Sequence, residues 1–298
     1  VDLRKALRAG ALAATMALTA CGGSHTGSSL PPVTPDGSSR GVRDVLGGLG
    51  LRLSISLYDA PLAAYEDAHV NLAIAGFNAI KGKFVAPVVS YATPQVVDLL
   101  ALQQQPMSVE GSVPAGQYDA VQLVVDLTQS NVTVEGRQLP LVVQGRKRLN
   151  TVAIDGHVKI DGGVGDTVSV ALDFNVLESI KIEHGEAILN PKVLAVPGNR
   201  SSSMHGRVVN AHGQPVSNAA VQVIAENGTV ANTSVTGKDG HFRVHAIPGG
   251  VYQVVVKNAY VTASGESLTA NGADASVDPA IAIAVAPGDN FDLGDIAD

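Results

Sequence analysis

Apolar and polar positions alternate with period two through much of this chain, the signature of strands with one buried face. Leu51, Leu53, Ile55 and Leu57 alternate with Arg52, Ser54 and Ser56, and Asp59-Ala60-Pro61 ends the run. Val70, Leu72 and Ile74 repeat the pattern, as do Leu123, Val125 and Leu127 after a turn at Pro114-Ala115-Gly116. Val132 and Val134 lead through Glu135-Gly136, a hairpin turn, to Leu139 and Leu141. Val168, Val170, Leu172 and Phe174 form another set. Helical spacing is confined to two short pieces, 63–67 and 96–102. Short strands with frequent turn signals predict an all-β chain with two β-sandwich domains in tandem.

The N-terminus follows a different pattern. Residues 1–8 are short and basic, and residues 9–20 (AGALAATMALTA) are apolar and small. Such a stretch is too short to span a bilayer, which takes about 20 apolar residues, but suits the apolar region of a signal peptide. It ends in Leu18-Thr19-Ala20-Cys21, which resembles the bacterial lipobox. The resemblance implies cleavage before Cys21, a diacylglycerol on its thiol and an acyl chain such as palmitate on its new amino group. Each buried CH₂ contributes about 0.8 kcal/mol, so several chains anchor stably. Gly22 rather than Asp after the cysteine implies, by the same resemblance, sorting to the outer membrane.

Residues 21–50 are then the lipidated cysteine and a tether rich in Gly, Ser and Pro, with too few apolar residues to offset ordering entropy. The first domain is expected at 51–197, a linker at 198–203 and the second domain at 204–298.

Composition narrows the function. Hydrophobic residues make up 45% of the 298, enough for two cores, and charged residues only 16%. The formal charge is -7, and loss of residues 1–20 removes Arg4, Lys5 and Arg8 against one acid, Asp2. The remaining surface repels phosphate backbones, so nucleic acid is not an expected partner. Cys21 is the one cysteine, so no disulfide can staple the chain internally.

In the first domain, five motifs occur in order: Leu57-Tyr58-Asp59-Ala60-Pro61, Val97-Asp98-Leu99-Leu100, Val113-Pro114-Ala115-Gly116-Gln117-Tyr118, Leu172-Asp173-Phe174-Asn175 and Leu189-Asn190-Pro191. Together they resemble the bacterial lipoprotein domain-of-unknown-function family 4382, which has no assigned activity. The chain departs from that pattern in lacking a Trp after the second strand, and in the polar stretch 145–150 where an apolar strand is expected.

The second domain carries Gly206-Arg207-Val208, Gly213-Gln214-Pro215-Val216, Asp239-Gly240-His241-Phe242 and Ile247-Pro248-Gly249-Gly250-Val251-Tyr252. These resemble the carboxypeptidase regulatory-like domain, and the resemblance implies a transthyretin-like β-sandwich. The spacing puts Val221 and Val223 opposite Phe242 and Val244 across one core, with Asp239-Gly240 as a hairpin. Val285, Phe291 and Leu293 are expected to close the sheet, and 261–280 to form a polar loop.

Candidate chemistry is sparse. No nucleophile elbow, zinc-protease, Walker or dinucleotide-binding pattern is present, so no catalytic residue, cofactor or enzyme activity is expected. Asp155, Asp161 and Asp166 flank Gly162–Gly165, but they lack the alternating oxygens of a calcium loop and read as turn residues. Glu183, His184 and Glu186 read as an exposed turn. His241, Arg243 and His245 alternate onto a solvent face, where His205 on a nearby strand leaves a metal site open but not expected. Sequons at Asn131, Asn199, Asn227 and Asn232 carry no meaning in a bacterial chain.

The sequence therefore predicts a lipid-anchored envelope lipoprotein whose domains form a non-catalytic binding or structural module. The alternative is a carbohydrate-binding surface lipoprotein. Sugar platforms need exposed aromatic faces, and with Phe242 and Tyr252 assigned to the core the second domain offers at most Tyr260 and Phe291. An envelope protein or a glycan is the expected partner class.

Overall fold

The alternating runs become strands in a computed structural model, which describes residues 50–59, 68–103, 105–145, 149–258 and 282–297. The fold is all-β, with two tandem regions of two sheets each. In β1 (Leu51–Asp59), Leu51, Leu53, Ile55 and Leu57 are fully buried while Arg52 faces out. Each such side chain contributes about 1.5–3 kcal/mol through burial, so the period of two fixes which face of the sheet turns inward.

In the first region, β1 lies between β4 (Met107–Val113), antiparallel, and β8 (Thr167–Phe174), parallel, with β11 (Val193–Pro197) beyond β8. The opposing sheet runs β3 (Phe84–Asp98), β2 (His69–Lys81), β5 (Gly116–Val134), β6 (Arg137–Val143), β10 (Glu186–Leu189) and β9 (Ile180–Glu183). One end of β5 also pairs with β7 (Thr151–Gly162). A single apolar core fills the space between the sheets.

Leu123–Leu127 and Val132–Val134 both lie in β5, which bulges between them. Asp126 accepts from the Thr128 and Gln129 side chains and from the Thr128 amide, and its carbonyl accepts from the Ser130 hydroxyl at 2.6 Å. The Thr128 hydroxyl, first among these, holds the Asp126 carboxyl below the ordinary range. Of the helical piece expected at 96–102, residues 96–98 finish β3 and Leu99–Gln103 form a 3-10 turn. The piece at 63–67, the loop at 261–280 and residues 146–148 of the polar stretch lie outside the described residues. The Glu135-Gly136 hairpin is present, with positive φ at both residues as a tight two-residue turn requires.

The second region has one sheet of β15 (His241–Pro248), β12 (Ser201–Val209) and β18 (Asn290–Ala297). The other holds β14 (Val230–Val235), β13 (Ala219–Ala225), β16 (Gly250–Asn258) and β17 (Ala282–Val285). Val221 and Val223 meet Phe242 and Val244 in the shared core, as the spacing requires. Asp239-Gly240, however, is not a hairpin. It carries the chain from β14 in one sheet to β15 in the other, and the Ser234 hydroxyl crosses the gap to the Arg243 carbonyl at 2.7 Å. Val285 and Phe291 likewise end in different sheets.

The expected linker is also shorter than the sequence implied. Gly198–Arg200 is a 3-10 turn, and Ser201–Ser203 already belong to β12. Ser202 is buried, its hydroxyl donating to the Ala286 carbonyl and accepting from the Gly288 amide. A Cβ on Gly198 would come within 2.5 Å of the Ser169 Cβ. The turn is thus packed on the first region, and three residues separate the last strand of one from the first strand of the other.

One device recurs in both regions. Pro114-Ala115-Gly116-Gln117-Tyr118 and Pro248-Gly249-Gly250-Val251-Tyr252 each carry the chain from one sheet to the other. In each, the tyrosine hydroxyl donates back to the proline carbonyl at 2.6 Å. Replacing either tyrosine with Phe keeps the ring and removes the bond. Chemical denaturation should show each of Tyr118→Phe and Tyr252→Phe costing about 0.5–1.5 kcal/mol. A neutral result at both would mean the hydroxyls merely fill space.

Candidate functional site

Three of the five motifs of the first region, those around Tyr58-Asp59, Asp173–Asn175 and Asn190, converge at one end of β1 and β8. Parallel pairing sets Tyr58 beside Asp173 and Asp59 beside Phe174. Asp59 points into the core side, where its carboxylate accepts from the Val176 amide at 3.2 Å. Asn175 caps the turn at Val176–Ser179 by accepting from the Glu178 amide. That turn is tied to the Asn190-Pro191 corner, since the Asn190 amide donates to the Ser179 carbonyl and the Lys192 amide to the Ser179 hydroxyl. The motif at Val97–Leu100 is also structural: Asp98 accepts from His69 Nδ1 at 2.7 Å and from the amides of Val70 and Leu100.

The outer face of this sheet end is covered. Along β8, Val170, Leu172 and Phe174 turn to the core, yet Ala171 and Asp173 on the opposite face are buried too. The cover is the second region: Ala171 and Val196 pack with Ala246 of β15, flanked by Tyr58 and Leu194. Tyr58 stacks on His245, ring centroids 4.5 Å apart and planes 24° from parallel. Asn232 of β14 donates through its side-chain amide to Asp173 and to the His245 carbonyl. Asp173 Oδ1 has no hydrogen-bond partner among the described residues. Burial pushes its carboxyl up to about 6, against the smaller opposing pull of the Asn232 bond. A cleft of about 170 Å³ opens beside this contact, lined by Asp173, Glu178, Lys192 and Asn232 among others. A second, of about 460 Å³, lies where Ser56, Tyr58 and Ser169 meet Gly198–Asn199.

Among the described residues, the seam is the place where polar and titratable side chains from both regions converge in a buried setting. The sequence did not single out Asp173, Asn232 or Tyr58 as a site. The available signal was slight: Ala171 interrupts the polar face of β8 between Ser169 and Asp173.

The candidates taken from sequence are dispersed. Asp155 accepts from Gln122, Asp161 from Gln117 and Asp166 from the Gly163 amide, each a separate pairing. His184-Gly185 forms the β9–β10 hairpin turn with positive φ at both residues. His205 sits across from Arg243 and close to Asp292, and His241 sits across from Arg207. His245 does not share their solvent face, because its ring is packed on Tyr58. No group of three metal-binding side chains is present among the described residues. Phe242 and Tyr252 are core residues, Phe291 is half-buried against the second core, and Tyr260, like Cys21, lies outside the described residues.

Comparison with known proteins divides the chain in the same order. Residues 52–191 match the model of a domain of unknown function, DUF4382, and residues 203–282 that of the carboxypeptidase regulatory-like domain. The chain joins a DUF4382 domain to a carboxypeptidase regulatory-like domain. No curated protein matches it. Among solved structures it is similar to the Bacillus anthracis TIE protein, at 14% identity and a TM-score of 0.24, covering 83% of this chain and 33% of that one. It is also similar to the minor pilin GBS52 of Streptococcus agalactiae, at 12% identity and a TM-score of 0.23, covering 83% and 96%. The major pilin subunit BcpA of Bacillus cereus follows at 10% identity and 0.24, in a D312A form, covering 82% and 70%. The chain spans a third of the TIE protein's length. Such scores carry no argument about function. The seam therefore joins the DUF4382 sheet face to the edge strands of the regulatory-like domain, β14 and β15.

Proposed function

We propose that this chain is a membrane-anchored cell-envelope lipoprotein, lipidated on Cys21 and directed to the outer membrane. Its DUF4382 and regulatory-like domains act together as a non-catalytic binding or structural module. The observation that carries the reading is the basic–apolar leader ending in Leu18-Thr19-Ala20-Cys21, with no second cysteine to give that thiol another role. Consistent with a structural module, the polar residues gathered at the seam are engaged in capping turns and joining the domains. Of the chain's helices, none among the described residues is long and apolar enough to cross a membrane.

The partner is an envelope protein met through loops and sheet edges. Support comes from β3, an outer strand that exposes Phe84, Val85 and Val96. Against a glycan on the regulatory-like domain stands the burial of Phe242 and Tyr252.

Mass spectrometry of membrane-extracted protein should show a chain beginning at an acylated Cys21, and Cys21→Ser should leave unprocessed precursor. Mature wild-type protein retaining residues 1–20 would overturn the anchor. A glycan array with calorimetry on the soluble part would decide the partner class: sub-micromolar affinity for a defined polysaccharide, lost in Tyr260→Ala, would make carbohydrate recognition the function.

A further inference from the structure

Where the two domains meet, a carboxyl group is buried with a single hydrogen-bond donor among the described residues. Asp173 projects from the outer face of its sheet, on the same side as Ala171, and both are buried because the regulatory-like domain lies over them. Its Oδ2 receives one bond, from Asn232 of that domain, and its Oδ1 none among the described residues. A carboxylate placed this way loses water on docking and regains little, so the neutral acid is the cheaper form to enclose. The separated domains would return the group to solvent.

We propose that Asp173 makes the docking of the two domains pH-sensitive, the seam tightening as the medium acidifies and loosening toward neutrality. The sign follows from linkage. Docking raises the carboxyl from an ordinary 3.8 to about 6, so the docked state binds the proton more readily and acid favours it. Below the ordinary value both states are protonated and docking is strongest. Docking then weakens up to about pH 6 and levels off above it. A shift of about two units corresponds to about a hundred-fold in the docking constant over the full range.

Other titratable groups pack against the same place and must be distinguished. Tyr58 is beside Asp173 on β1, and Asp59 follows it but faces the opposite side of the sheet. Lys192, ahead of β11, and Glu178, on the short helical turn, line the adjoining cleft. His245 on β15 stacks on Tyr58, while β14 contributes Asn232 and no ionisable group. No ion pair joins Asp173 to a cation among the described residues.

Hydrogen exchange on the full chain tests the proposal, because protection factors report the opening constant even when the open state is rare. The ratio of protection in β11, β14 and β15 to that in β2 and β5 should fall about ten-fold from pH 5 to pH 8, after correction for intrinsic exchange. Asp173→Asn keeps shape and the capacity to hydrogen-bond without a charge, and should give a ratio flat with pH. His245→Phe keeps a ring against Tyr58 and should retain the fall. A flat ratio in the wild type, a fall that persists in Asp173→Asn, or a fall abolished by His245→Phe would each overturn the assignment to Asp173.

Discussion

Phe242→Ala should lower the stability of the regulatory-like domain by about 3–5 kcal/mol, the usual cost of emptying a buried aromatic site. The ring is 2% exposed and sits among Met204, Val221, Val244 and Val256. Collapse into the vacated space is restricted, because Gly206 already brings β12 so close that a Cβ there would lie 3.1 Å from the ring's Cε1. Denaturant-dependent hydrogen exchange at β13 and β16 amides would measure the loss within this domain. A cost below about 1 kcal/mol would mean that the ring is not part of a packed core.

Gly111→Ala should be nearly as damaging to the DUF4382 domain, for a different reason. Gly111 lies on β4 where the first half of β3 folds over the open edge of the sandwich, and an added Cβ would fall 2.0 Å from the Val88 carbonyl oxygen. The obstacle is backbone, which cannot swing aside as a side-chain tip can. Relief requires moving β3 away from β4, opening Val88 and Ala86 to water. Overpacking of this kind costs about 1–3 kcal/mol or more, readable in the same exchange experiment at β2 and β4 amides. Wild-type stability in Gly111→Ala would show that β3 does not cross the edge there.

Much of this fold was legible because each strand carries its own record of burial. Leu51–Leu57 and Val221–Val223 are read correctly from alternation alone, and Glu135-Gly136 from turn chemistry. What failed was non-local. Asp239-Gly240 has the chemistry of a tight turn, and it makes one. Whether the flanking strands then pair or part into two sheets depends on β12 and β13, which local residues do not encode. Likewise, Asp126-Leu127-Thr128-Gln129-Ser130 has the composition of a turn, yet long-range pairing with β2 on both sides holds it as a bulge. The seam was hidden because its contacts are small residues, Ala171 and Ala246, and its polar members occupy positions where polarity is ordinary. Asp173 looks like any outward strand residue until a second domain is laid over it.

Two of the parallel pairings have a consequence for the order of events as the chain is synthesised. β1 opens the first domain yet must wait for β8, and β12 opens the second yet must wait for β18. Contacts between segments so distant in sequence carry a large closure entropy and slow folding. A chain emerging N-terminus first can pair β2 with β3 and β5 early. Neither sandwich can complete its second layer until its late strand has been made. Over that interval the apolar faces of β1 and β12 stand open, so each domain stays incompletely folded for most of its own synthesis.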